Sequence, residues 1–466
     1  MKFQIQNSKF KKTIMISRFK IPDSKFKSAV TALALVLGLD AAAADWPDAH
    51  GNERRSMVSP DQPAKQLKEL WAWQSPVPLN PAWSAPAKWD AYQEVRDLPA
   101  LRDFDASLLV SGAAGKVYFG SNGDNSVRCL DLASGKPLWA HAASAPVRLP
   151  PSVRGDRLYF GDDSGAVTCL DTAGKLIWSR QADPQARIIP SNGRLVSLAP
   201  VRTGVLEKDG RLYFAASLVP WEPSRFCCWQ ASDGKEIYQT RQEGRTLEGP
   251  LLLSGGRVIV PQGRAPALSF ALGDGKFLGD LDQSGSTWIL VDEGGSLFSG
   301  PRKEMGGSQV VATDPESQQE LFSLGGATRL VSEKDLVWVQ AGDQLKLFDR
   351  GRHLAIQAQL RSAEDEAAKL KKAKDPGEKE LRVRISALRK DLEQTFRWSV
   401  PAPRAAALLK AAERVFLAAD GCVVAYDAAS GKEVQRLPVP GRVLGLAMID
   451  GVLIASTELG GIHAFR

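Results

Sequence analysis

The sequence predicts an all-β fold: an eight-bladed β-propeller closed by an N-terminal strand, with an inserted antiparallel helical hairpin in the sixth blade. Three observations predict it. Residues 115–139 read as strand, turn, strand, turn, strand, and the pattern returns at 155–178. A recurrence of about forty residues built of short strands is the signature of a toroid of repeated sheets. The last unit stops at Ala464-Phe465-Arg466 without a fourth strand, and an orphan strand pattern at 67–73, L-K-E-L-W-A-W, supplies one. Pairing the two removes two exposed sheet edges at once. One late unit is interrupted by two runs of helical periodicity.

The 466 residues are 44% hydrophobic and 24% charged, a balance that indicates neither a disordered nor a fibrous class. The net charge of +7 invites a polyanion partner until the charges are located. Residues 1–44 carry eight Lys and Arg against Asp23 and Asp40, so six of the seven net charges lie there. The basicity belongs to a leader, and nucleic acid is not an expected partner. The leader reads as a signal peptide: a basic stretch, an apolar run at 29–39 too short to span a bilayer, and small residues at 41–44. Cleavage is expected after Ala44, with Met15 an alternative start and a retained amphipathic tail the alternative reading. The leader has no cysteine to carry a lipid anchor, and no later apolar run is long enough to span. The mature chain is expected to be periplasmic or secreted, without a membrane anchor, and monomeric.

Residues 45–66 open with W-P-D-A-H-G-N-E-R-R-S and lack periodicity, as expected of an arm lying on the body. The propeller is expected over 67–466, starting with the orphan strand and a connector rich in Pro and Trp (Pro76, Pro78, Pro81, Trp83, Pro86, Trp89). Units then fall at 115–139, 155–178, 210–238, 256–279, 287–322, 336–398, 415–434 and 452–466. Gly-Lys turns recur at Gly135, Gly174, Gly234, Gly275 and Gly431. Asp131, Asp171, Asp349 and Asp427 stand where a carboxylate caps the turn amides while glycine supplies a positive φ. The fifth unit is degenerate, with Thr313-Asp314-Pro315 at its turn, so seven blades is the alternative count. In the sixth, Leu360, Ala363, Ala367 and Leu370 and then Leu381, Ile385, Leu388, Leu392 and Phe396 follow helical spacing on either side of Asp375-Pro376-Gly377. This predicts a helical, coiled-coil-like hairpin over 355–396, each arm about 25–30 Å long.

Residues 129–139, C-L-D-L-A-S-G-K-P-L-W, resemble the pyrroloquinoline-quinone (PQQ) type propeller repeat, whose motif ends A-x-D-x-x-T-G-K-x-x-W. Residues 169–178 match with one residue fewer in the turn, and 425–432 match without the Trp. The resemblance covers nearly all of the chain after the leader. The Trp46-Pro47 opening and the helical hairpin also look like exported bacterial members of this group. It implies that the closing aromatics Trp139, Trp178, Tyr238 and Trp398 dock between neighbouring blades. It leaves function open, because the repeat occurs in quinone-dependent dehydrogenases, in an outer-membrane assembly lipoprotein and in many proteins of unassigned role.

A quinone-dependent dehydrogenase of this kind needs PQQ, a calcium, a catalytic Asp and often a disulfide between adjacent cysteines, which draws attention to Cys227-Cys228. In register, however, Cys228 takes the place of Cys129 and Cys169, and Cys422 falls three residues earlier in its unit. Adjacent strand residues point to opposite faces, so packing inside the sheets is the better reading. His50, His141, His353 and His463 are scattered and form no metal-ligand spacing. Asn122-Gly123-Asp124-Asn125 and Asp162-Asp163 look faintly like calcium loops but lack the bidentate Glu, and hairpin turns describe them better. No catalytic residue and no metal site is assigned, and PQQ with calcium is kept only as an alternative.

One feature rises above this background. Arg148, Arg202 and Arg442 each lie ten residues before the first apolar residue of their unit's second strand (Leu158, Leu212, Val452). Arg245, Arg329 and Arg404 occupy similar places with looser register. Repeat symmetry brings such residues toward one mouth of a central channel, where guanidinium groups suit a small anionic ligand or an acidic partner loop. The sequence therefore reads as a non-catalytic scaffold that binds a protein or ligand through a propeller face or the hairpin. The alternatives are a PQQ- and calcium-dependent oxidoreductase and a role like that of an outer-membrane protein assembly factor.

Overall fold

Each repeat folds as an antiparallel sheet of four strands paired in chain order. In the first sheet these are Val110–Ala113, Lys116–Ser121, Ser126–Asp131 and Pro137–Ala142. The structure is a computed structural model that describes residues 45–466 apart from 83–88, 91–94, 97–103, 192, 264, 283, 285–287 and 305–306. The leader, its cleavage site and part of the Pro/Trp-rich connector lie outside the described residues.

Burial explains why these segments are strands. In the second strand Val117 and Phe119 point into one core and Tyr118 into another, which it shares with Cys129 of its own sheet and with Val153 and Phe160 of the neighbouring sheet. A strand buried on both faces reads as an unbroken apolar run, as K-V-Y-F does. The fourth strand, P-L-W-A-H-A, instead leaves Leu138 about half exposed. Sheets at 152–181, 206–242, 252–281, 289–325 and 327–401 repeat the plan. The sheet at 289–325, fifth in the chain and expected to be degenerate, has all four strands. Its turn is held by Asp314 Oδ1, which accepts from the Glu316 and Ser317 N–H groups at 3.0 and 2.7 Å.

The remaining repeats share one seven-stranded sheet. Its long strand Glu433–Ile449 pairs with Arg414–Asp427 through its first half and with Val452–Thr457 through its second. At its far edge the N-terminal strand Glu69–Gln74 runs antiparallel to Gly461–Phe465, with Trp71 opposite Ala464 and Trp73 opposite Ile462. First strands neighbour one another from sheet to sheet, 110–113 beside 152–154, 152–154 beside 206–208, and 433–449 beside 110–113. This is a β-propeller.

The Gly-Lys turns join the sheets. Asp131 Oδ1 accepts from the Ser134 N–H and hydroxyl at 2.8 and 2.6 Å, and Gly135 takes φ 68°. An aromatic ring of the preceding sheet lies directly on the glycine. A Cβ on Gly174 would stand 2.6 Å from the Trp139 ring, and the same holds for Gly234 with Trp178 at 2.8 Å and Gly275 with Tyr238 at 2.4 Å. Gly431 meets Trp398 at 2.8 Å, and Gly135 meets Trp71 of the N-terminal strand at 2.5 Å. The indole N–H groups of Trp71, Trp139 and Trp178 donate to the carbonyls of Leu132, Thr172 and Ala231, and Tyr238 Oη donates to Leu272 O at 2.8 Å.

In the sixth sheet Asp349 caps a helix in place of a turn, its Oδ1 accepting from Arg352 N at 2.9 Å. Helix α1, Arg350–Ala373, therefore starts five residues earlier than expected and is about 36 Å long, against about 24 Å for α2, Glu378–Glu393. Leu360, Ala363 and Leu388 close the seam between them, with Ile356, Leu381, Ile385 and Leu392 around it. Phe396 is not part of that seam; it opens the strand Phe396–Pro401 and packs on Phe348 at 5.4 Å. The sequence reading also has no counterpart for a two-stranded hairpin, Ile188–Ser191 with Arg194–Ser197, between the second and third sheets.

Candidate functional site

Arg148 and Arg202 sit in the connections leading into the first strands of the second and third sheets. Both are buried, and both converge on Asp163. Arg148 Nε and Nη2 donate to Asp163 Oδ2 at 2.9 and 2.6 Å, while Arg202 Nε donates to Oδ1 at 2.9 Å and Nη2 to Oδ2 at 3.0 Å. Arg148 Nη1 reaches Asp105 Oδ2 at 2.5 Å and Asn80 O at 3.1 Å. Asp105 Oδ2 also accepts from Ala82 N at 2.8 Å. Burial raises the Asp163 carboxyl, but the Arg202 and Arg148 guanidiniums outweigh it and hold the group below the usual carboxylate range. At Asp105 burial wins over Arg148, and its value is raised.

The expectation of open guanidinium groups therefore does not hold for these two arginines: two buried carboxylates balance two buried cations. Breaking such a pair costs about 3–5 kcal/mol, because a charge is left unpaired inside the protein. The other four arginines are engaged locally or exposed. Arg245 pairs with Asp280 and lies 5.4 Å over the Phe277 ring. Arg329 Nε donates to Ala406 O at 2.8 Å and lies 5.9 Å from the Trp288 ring centre. Arg442 makes an exposed pair with Glu458 at 3.1 Å, and Arg404 is exposed.

The N-terminal arm runs along the first strands. Trp46 exchanges both backbone hydrogen bonds with Gly112 at 2.8 Å. Pro47 O accepts from Val153 N, Glu53 O from Leu253 N, Arg54 O from Val291 N and Met57 O from Lys410 N, at 2.8–2.9 Å. Side chains reinforce the path: Asp48 meets Ser152 and Arg154, and Glu53 meets Lys208. The arm thus touches the inner strands of six sheets. Beside it is a cavity of about 80 Å³ lined by His50, Arg55, Ser107, Trp288, Arg329 and Leu446. Burial first, then Arg55 and Arg329, push the His50 imidazole well below its ordinary value, which favours its neutral form.

The residues do not fit a quinone with its calcium. Cys227 and Cys228 are free thiols that point into two different cores, Cys227 toward Tyr159 and Leu212, and Cys228 toward Val258 and Phe270. Burial pushes the thiols up, Cys129 to about 12 and Cys169 to about 11, as expected of small packing residues. Asp162 Oδ1 is occupied by Ser164 N, Ser164 Oγ and Ala166 N at 2.8, 2.6 and 3.2 Å. Asp124 pairs with Arg128 and accepts from Ser126 Oγ. The histidines stay apart: His141 edges Phe160, His353 faces Thr395 Oγ1 at 3.3 Å and His463 faces Glu69 at 3.1 Å. Among the described residues no three His, Cys, Asp or Glu side chains are placed to hold a metal ion. No helix there is long and apolar enough to cross a membrane.

Sequence reasoning missed the acid partners. Asp163 was visible only as half of a turn, and Asp105 follows no repeat. The arm's lack of periodicity gives no sign that its backbone hydrogen bonds go to the strands of several sheets.

Repeated four-stranded sheets, aromatic docking over glycine turns and inner connections bearing arginine define a repeat propeller. The family described as outer membrane protein assembly factor BamB matches residues 72–212. No curated protein sequence matches the chain. Among solved structures, the quinohemoprotein alcohol dehydrogenase from Comamonas testosteroni is similar at 12% identity and a TM-score of 0.57, over 94% of this chain and 84% of that one. The computationally designed Ika8 protein is similar at 13% identity and a TM-score of 0.50, over 78% and 96%. BamB from Moraxella catarrhalis matches at 12% identity and a TM-score of 0.38, over 86% and 100%. The chain folds as a β-propeller, and residues 72–212 carry its match to the PQQ-like repeat family.

Proposed function

We propose that the chain is an exported, non-catalytic β-propeller scaffold that binds a protein partner through a propeller face or the helical hairpin. The reading takes the ring as eight blades, six separate sheets and two within the seven-stranded one, closed by the N-terminal strand. It takes 1–44 as the leader, with residence in the periplasm or outside the cell.

The observation that carries it is the use made of the inner surface. The buried Arg148 and Arg202 are neutralised by Asp163 and Asp105, and the first strands are covered by the arm. These two arginines and the backbone of the arm are spent on holding the fold, which leaves the outward loops and the hairpin for recognition. The BamB-described match over 72–212 favours a protein partner over a small substrate.

Affinity capture from a periplasmic extract with the intact protein and with a variant lacking 355–396 tests the reading. A partner retained by either form, with both forms equally folded, is the expected result. A PQQ-type absorbance spectrum and dye reduction after adding PQQ and calcium would replace it with an oxidoreductase.

A further inference from the structure

Helix α1 carries an exposed stripe beside its apolar seam with α2, joined to α2 through the Glu364–Arg389 pair. Leu360, Ala363 and Ala367 turn toward or flank α2, whereas Arg361, Glu364, Asp365, Ala368, Lys371, Lys372 and the post-helical Asp375 fall on another face. From Arg361 to Lys372 their spacing of three, one, three, three and one residues is that of one continuous helical face, and Asp375 follows the left-handed Lys374 that ends the helix. Glu364 is half-buried and the other six are exposed.

The charges on this stripe are antisymmetric about Ala368. Reading outward, Lys371 mirrors Asp365, Lys372 mirrors Glu364, and Asp375 mirrors Arg361. Two antiparallel copies of α1 crossing at Ala368 therefore set Glu364 and Asp365 of one against Lys372 and Lys371 of the other, two opposite-charge pairs within the helix on each side of the two-fold axis. A small residue at the crossing lets the backbones approach. A groove runs along this side of the hairpin, lined by Glu364, Ala367, Ala368 and Lys371 of α1 and by Ile385 and Ser386 of α2, among others. Among the described residues Arg361, Asp365, Lys371 and Lys372 have no ion-pair partner within the chain, while Glu364 meets Arg389 at 2.8 Å.

We propose that the hairpin docks a second copy of this chain, α1 against α1 in an antiparallel two-fold arrangement centred on Ala368. The proposal rests on the hairpin being a docking element, as above, and names its occupant. The stripe is polar, so the dimer is salt-sensitive and of modest affinity. An isologous contact of this kind uses the same patch on both partners and closes at two copies.

Sedimentation velocity of the full-length protein over a concentration series, at low and high salt, reads the association directly. The expected result is a monomer–dimer equilibrium that salt shifts toward monomer. The double variants Glu364→Lys/Asp365→Lys and Lys371→Glu/Lys372→Glu each place like charges face to face, and each raises the dissociation constant at least about tenfold. Mixed in equal amounts, the two variants restore a heterodimer, because every pair across the axis is again opposite. Circular dichroism confirms that the exposed substitutions leave the helices intact. A wild-type monomer at all concentrations, a dimer indifferent to both variants, or a mixture that stays monomeric overturns the proposal. Each of these outcomes is independent of whether an extract protein is captured.

Discussion

Asp162 and Asp163 sit side by side in the turn between the second and third strands of the second sheet, yet their carboxyl groups meet different surroundings. Asp163 faces two guanidiniums and is held below the usual range. At Asp162 burial dominates over the hydrogen bonds from Ser164 and Ala166, with the Asp163 charge adding to it, and its value is pushed up to about 6. A folded-state value above the ordinary 3.8 means that the group's contribution to stability is complete below that pH and is lost as pH rises through about 6. Asp162→Asn keeps the Oδ1 acceptor for all three donors and removes the charge. It is expected to flatten the stability profile between about pH 4 and 6 and to stabilise the protein at neutral pH by roughly 1–3 kcal/mol. Urea denaturation at a series of pH values checks this; an unchanged slope would show that Asp162 does not titrate in that window. The sequence showed both residues in a polar turn, but burial and the approach of Arg148 and Arg202 from adjacent connections belong to tertiary structure.

At the scale of the element, the turn and its aromatic neighbour act as one unit. Gly174 takes φ 84° and has the Trp139 ring where a Cβ would stand. Gly174→Ala combines left-handed backbone strain with a steric clash and is expected to cost about 2–4 kcal/mol in thermal or urea unfolding. The same change at Gly155, also at positive φ but with open space around it, costs only the backbone share, about 1–2 kcal/mol. Equal losses at the two sites would remove the docking contribution. This element was legible in advance, because Asp, Gly, Lys and an aromatic recur at fixed offsets and each offset has a local cause. The hairpin helices were legible too, from their apolar spacing, although the strong cap at Asp349 moves the start of α1 back to Arg350. The small hairpin at 188–197 was not, since a single pair of short strands with Ile188 and Leu195 exposed carries neither a repeat nor a buried period.

At the scale of the molecule, the arm is the segment whose importance its sequence conceals. Trp46 is 1% exposed and belongs to the same core as Val117, Phe416 and Ile449. Replacing Trp46 with Ala removes a buried indole, although its Nε1 has no partner and that partly offsets the loss. A destabilisation of about 2–4 kcal/mol is expected in chemical denaturation. An arm that merely rests on the surface would give a change near zero.

The pairing of Glu69–Gln74 with Gly461–Phe465 has a further consequence, one of time. The strand Glu69–Gln74 is partnered by one synthesised much later, so the sheet they share stays incomplete until that later strand has been made. Contacts of such sequence separation form slowly. Until then the N-terminal strand is an unpaired edge, exposed to any extended segment nearby. The molecule therefore has an interval of vulnerability built into its connectivity, one in which a chaperone that holds an extended strand would protect that edge.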